Sequence, residues 1–139
     1  MIRARSLAYW TTTAVVTAEL LAGGVLDLTR ASSVVSSLEQ LGYPTYLLSI
    51  LGIWRLLAGA TLLAPSLPRL KEWAYAGAFF ELTGAALSSL AKGHGVSSVA
   101  TPCVLAAFVL ASWALRPPSR VLGVISLPGL RTRHRSTDG

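Results

Sequence analysis

Three side chains in this sequence are placed to do chemistry together: Glu19, Arg55 and Glu81, each a charged residue near the middle of an apolar run. Glu19 lies in the run from Leu7 to Leu28, Arg55 in Tyr46 to Ala64, and Glu81 in Lys71 to Leu90. A charge at the centre of a membrane-crossing helix costs about 3 kcal/mol unless something pairs with it. One guanidinium pairs with one carboxylate; the other carboxylate shares it or holds a proton, and the three titrate as a coupled unit. Such a set suits a proton relay or the recognition of a polar head such as a quinone carbonyl. It equally suits a structural ion cluster that fixes helix register. Trp54, beside Arg55 and facing lipid or an inner pocket, and Ser88, on the side of Glu81, complete the candidate list. No metal site is expected, because His94 and His134 lie outside the apolar runs with no second ligand at a suitable spacing.

The elements that must position these residues are four membrane-crossing helices, at about 7–28, 46–64, 72–91 and 98–115. Small residues share the side of each charge and allow close helix approach: Ala22 and Gly23 with Glu19; Gly52, Ala58 and Gly59 with Arg55; Gly77, Ala78, Gly84 and Ala85 with Glu81. Arg55 lies ~15 Å from Pro65, Glu81 ~14 Å from Glu72 and Glu19 ~18 Å from Leu7 at 1.5 Å per residue, so all three charges fall at one depth. Asp27, at the far end of the first span, reads as a solvated end charge. Between the first two spans, Val34, Val35, Leu38 and Leu41 form one apolar helix face, with Ser32 or Ser33 to start it and Gly42 and Pro44 to end it. This predicts a short helix lying in the membrane interface. Pro102 falls near the start of the fourth span, where a first helical turn tolerates it. The expected fold is an all-α four-transmembrane-helix bundle over residues 1–117, followed by a basic cytoplasmic tail, 118–139.

Composition supports a membrane class. The 139 residues are 53% hydrophobic and 13% charged, with a mean hydropathy of +0.57, where soluble domains carry about 25% charge. The net charge of +6 does not indicate nucleic acid, since the basic residues flank the apolar runs rather than forming a stripe interleaved with aromatics. They concentrate at the N-terminus (Arg3, Arg5), the second loop (Arg69, Lys71) and the tail, which places both termini in the cytoplasm of an inner-membrane protein. Cys103 stands alone in the sequence, so dithiol chemistry within the chain is excluded. No nucleophile elbow, phosphate loop or zinc-protease motif is present. Any redox activity therefore needs a partner or a bound cofactor such as quinone.

Leu-Gly-Tyr-Pro at 41–44, Leu-Gly-Ile-Trp-Arg at 51–55, Pro65, Lys-Glu-Trp-Ala-Tyr-Ala-Gly at 71–77 and Phe-Phe-Glu-Leu-Thr-Gly at 79–84 resemble the DoxX-like family of small four-span membrane proteins, over about Tyr9 to Pro117. The resemblance implies a place in a membrane redox complex, as for the thiosulfate:quinone oxidoreductase subunit that gives the family its name, or in the assembly of other membrane proteins. The chain departs from the family pattern with Arg55 where Lys is common, Glu81 where Asp is common, and Ser89 where a His stands in some relatives. Three functions are expected from these features: an accessory subunit of a quinone-linked membrane redox system; an assembly or scaffold factor whose charges are structural; or a proton-coupled small-molecule transporter. The partners expected are the lipid bilayer and either a redox partner or further copies of the chain, since four spans are few for a monomeric carrier.

Overall fold

A computed structural model describes residues 1–118 and Val121. These residues fold into five α-helices and no strands: α1 (Ile2–Leu28), α2 (Ser32–Leu41), α3 (Leu47–Leu63), α4 (Pro68–Ala91) and α5 (Val96–Ala114). α1 packs on α3 and α5, and α4 packs on the same two, so the four long helices close a ring, with α2 resting on the end of α1. The apolar tail piece from Val121 to Leu127 and the basic residues Arg131, Arg133 and Arg135 otherwise lie outside the described residues.

Two of the helices, α1 from Arg3 to Leu28 and α5, are long and apolar enough to cross a membrane by length and composition. α3 is comparably apolar but has 17 residues, or ~26 Å at 1.5 Å per residue. α4 has 24 residues but is more polar, since Arg69, Lys71, Glu72 and Glu81 all fall within it. α1 begins at Ile2, earlier than the hydropathy alone suggests, because helical backbone continues through Arg3 and Arg5. α2 ends as expected on Gly42, whose φ of 83° is the left-handed cap that glycine adopts without strain.

Small residues set the tightest seam, where α1 and α3 run antiparallel. Gly24 and Gly52 meet so closely that a Cβ on either would lie 3.0 Å from the other's carbonyl oxygen. Farther along, Gly59 receives the Leu21 side chain. The glycines of α4 behave differently from the sequence expectation: a Cβ at Gly77 or Gly84 would meet nothing within 4 Å. The face of α4 that packs inward carries Ala74, Ala78, Leu82 and Ala86 instead, joining Val16, Leu20, Leu62, Ala106 and Val109 in and beside the core.

Two basic residues turn inward: Lys71, which reads as a loop charge, and Arg116, just past the end of α5. Lys71 is 2% exposed, and its ammonium donates to the carbonyls of Leu62, at 3.2 Å, and Ala64. It thereby satisfies acceptors that the end of α3 leaves without amide partners. Arg116 is also buried; its Nη1 donates to Glu72 Oε1 at 2.6 Å and its guanidinium lies 5.1 Å from the Tyr75 ring centre. Above this pair, fully buried Ser112 contacts the hydroxyls of Thr13 at 2.7 Å and Tyr75 at 2.9 Å, tying α1, α4 and α5 together. Lys71→Met keeps the aliphatic stem but orphans the α3 carbonyls, and is expected to lower stability by about 1–3 kcal/mol. Thermal unfolding in detergent should separate it from Arg69→Met, an exposed position where little change is expected.

Candidate functional site

The structure brings Glu19, Arg55 and Glu81 together from α1, α3 and α4. Arg55 Nε donates to Glu81 Oε1 at 2.5 Å, and Nη2 reaches the same oxygen at 2.5 Å. Nη1 lies 3.5 Å from Glu19 Oε1. About a fifth of each of these three side chains is exposed. At this degree of shielding the attraction exceeds that of a surface pair.

A fourth member, Asp27, overturns its sequence reading as a solvated end charge. It is 4% exposed, with Oδ2 3.5 Å from Arg55 Nε. That nitrogen carries one proton, already directed to Glu81, so Asp27 Oδ2 gains charge proximity but no hydrogen bond. The reason lies in the spacing of α1. Glu19, Gly23 and Asp27 are four residues apart, one helical turn each, and so lie on nearly one face. Gly23 between the carboxylates is the seat of the guanidinium: a Cβ there would collide with Arg55 Nη1. The sequence signal was the Glu-x-x-x-Gly-x-x-x-Asp pattern, legible once Arg55 is known to face α1.

The other two candidates separate. Trp54 is 66% exposed and forms a wall of a groove between α3 and α4. The groove encloses about 460 Å³; Leu51, Leu57, Trp73 and Gly77 also line it, and Arg55 and Glu81 stand at its polar end. Trp54 therefore faces outward and lines a pocket at once, because the groove opens on the outer surface. Ser88 is not part of the cluster; its hydroxyl meets the Tyr43 hydroxyl at 2.9 Å. The neighbouring Ser89 is the one that turns inward. It lines a second cavity of about 490 Å³ with Glu19, Arg55, Gln40, His94 and Thr101. Among the described residues no three His, Cys, Asp or Glu side chains are placed to hold a metal ion together.

A ring of four long helices with apolar outer faces and ionisable side chains turned between them defines a small helical membrane protein. A family model, the DoxX-like family, matches residues 11–112. The chain belongs to that family, and the match runs from Thr11 in α1 to Ser112 in α5, spanning every member of the Arg55 cluster. No curated protein and no solved structure matches the chain.

Proposed function

We propose that this DoxX-like protein is an accessory subunit of a quinone-linked redox system in the cell's inner membrane, and that the α3–α4 groove holds the polar head of the membrane-dissolved carrier. All four long helices would cross the bilayer, with both termini cytoplasmic. Support for the crossing of α3 and α4 comes from their outer faces. Ile50, Ile53, Trp54 and Leu57 on α3, and Trp73, Phe80, Leu87 and Leu90 on α4, are all exposed. Apolar surface of that extent belongs against lipid or another apolar partner. Glu81, the feature that lowers the hydropathy of α4 at mid-helix, is turned to Arg55 rather than outward.

The observation that carries the ligand reading is the ending of an apolar, surface-open groove on one cation and one carboxylate. Its size falls within the ~300–1,000 Å³ of small-molecule sites, where a few polar groups orient a mostly apolar ligand. Arg55 can donate to a quinone carbonyl; Glu81 can accept from the hydroxyl of the reduced form. Electrons would come from a partner subunit, and this chain would bind and orient.

The test uses the tryptophans of the groove. Titration of purified protein with a short-chain quinone is expected to quench Trp54 and Trp73 fluorescence saturably. Glu81→Gln should weaken the apparent affinity about tenfold, the equivalent of one charged hydrogen bond. Quenching that is linear in quinone and unchanged by Glu81→Gln would rule the reading out. One observation favours a purely structural role, as in an assembly or scaffold factor: Gly23 and three carboxylates of the chain itself cradle the guanidinium. On that reading a fully neutralised cluster keeps activity in the cell.

A further inference from the structure

The groove accounts for one side of the Arg55 cluster. On the other side lies the second cavity, of about 490 Å³, walled by α1, α2, α4, α5 and the α4–α5 turn. It is the more polar of the two: Glu19, Gln40, Ser89, His94, Ser98 and Thr101 share its lining with Leu41, Leu82 and Leu105, where the groove is mostly leucine, tryptophan and alanine. Of the residues lining the two spaces, only Arg55 belongs to both.

Pro102 adds to the polarity of the second cavity. The sequence placed it in a first turn, but α5 begins at Val96 and Pro102 lies inside the helix. It has no N–H, so the carbonyl of Ser98, four residues earlier, lacks its helical donor. Both residues line the cavity. Water can serve such a carbonyl, and the space far exceeds the ~30 Å³ that one water occupies.

We propose that the Arg55 cluster is two-faced: Glu19 exchanges protons with water in the polar vestibule, Glu81 meets a membrane-dissolved ligand in the groove, and the guanidinium is the partition that couples them. This rests on the groove reading above. Arg55 holds its own proton and does not relay one. Coupling arises because two carboxylates on opposite sides compete for one cation. A ligand head that draws the guanidinium toward the groove changes its hold on Glu19, so ligand occupancy and proton occupancy at Glu19 are linked. The other charged or titratable groups in this arrangement are Asp27 on α1, beside Arg55, and His94 in the turn after α4; α2 and α5 face the vestibule with uncharged Ser37, Gln40, Ser97, Ser98 and Thr101.

Carbodiimides, which react with protonated carboxyls, test this from both sides. Unsealed membranes holding the full chain are treated at mildly acid pH with either a water-soluble, lipid-excluded reagent or dicyclohexylcarbodiimide, and labelled peptides are located by mass spectrometry. The water-soluble reagent is expected to label Glu19 and spare Glu81, and the lipid-soluble one to label Glu81 slowly, since its two short contacts with Arg55 must open first. Ser98→Trp, at an exposed position on the vestibule, should abolish water-soluble labelling of Glu19 and leave Glu81 labelling unchanged. A short-chain quinone should alter the rate at which Glu19 reacts; an unaltered rate overturns the coupling. If Glu81 takes the lipid-soluble reagent while Glu19 resists the water-soluble one, or if Ser98→Trp changes nothing, the vestibule is not the proton route and the groove reading stands. Labelling of Glu81 by the water-soluble reagent overturns the groove reading itself.

Discussion

Arg55→Ala is expected to destabilise the protein by ~3–5 kcal/mol, enough to prevent recovery of folded material in many detergents, because three carboxylates then share a shielded space with no cation. Glu81 would lose two contacts of 2.5 Å, and Glu19 and Asp27 their ion pairs with the guanidinium. The loss belongs to the unpaired acids rather than to the missing arginine. Arg55→Met combined with Glu19→Gln, Asp27→Asn and Glu81→Gln should therefore recover most of the stability, since a neutral cluster has no charges to desolvate. Leaving Asp27 ionised in that background should recover less, which makes its role separable. Thermal unfolding of the single, triple and quadruple variants supplies the comparison. Equal stability of Arg55→Ala and wild type would show that the acids are held apart or solvated.

The second large effect is expected at the α1–α3 seam. Gly52→Val places side-chain atoms where Gly24's carbonyl oxygen and the Leu28 side chain already stand. The carbonyl is backbone and cannot rotate aside, so the helices must separate, at a cost of about 1–3 kcal/mol for overpacking. Separation also moves Gly23 and Asp27 away from Arg55, and the charge cluster loosens with it. Gly84→Ala provides the contrast. Nothing stands near its added methyl, and an alanine in mid-helix is favoured over glycine by ~0.5–1 kcal/mol. Opposite signs for two glycine substitutions on neighbouring helices would confirm where the close contact lies; equal destabilisation would place α4 in a different rotation.

The contrast also shows what the sequence could and could not reveal. Meeting of Glu19, Arg55 and Glu81 was legible, because a charge within an apolar run must find a partner and helical rise fixes its depth. The short helix after α1 was legible for a similar reason: one apolar face and a glycine–proline stop leave few alternatives. Rotation about each helix axis was not. Small residues surround Glu81 on a broad arc, and nothing local says that Ala78 and Ala86 pack while Gly77 and Gly84 stay open. Ser88 and Ser89 differ by one step of about 100°, which decides between a bond to Tyr43 and the wall of the vestibule.

Burial of end charges was hidden for another reason. Asp27, Lys71 and Arg116 sit at helix ends, where a solvated charge is the ordinary outcome, and each is instead drawn inward by a partner distant in sequence: Arg55, the end of α3, and Glu72. Such partners appear only when helices are side by side. Pro102 illustrates the reverse error, in which a boundary misplaced by two residues changed its meaning from a tolerated first-turn proline to an interior one that frees a carbonyl.

Mass spectrometry of the molecules retained after gentle extraction asks whether the α3–α4 groove delivers a lipid-soluble ligand to Arg55 and Glu81. A single quinone-class species retained by the wild type and lost from a folded Glu81→Gln variant is the predicted outcome. Bulk phospholipid alone in both samples would contradict it.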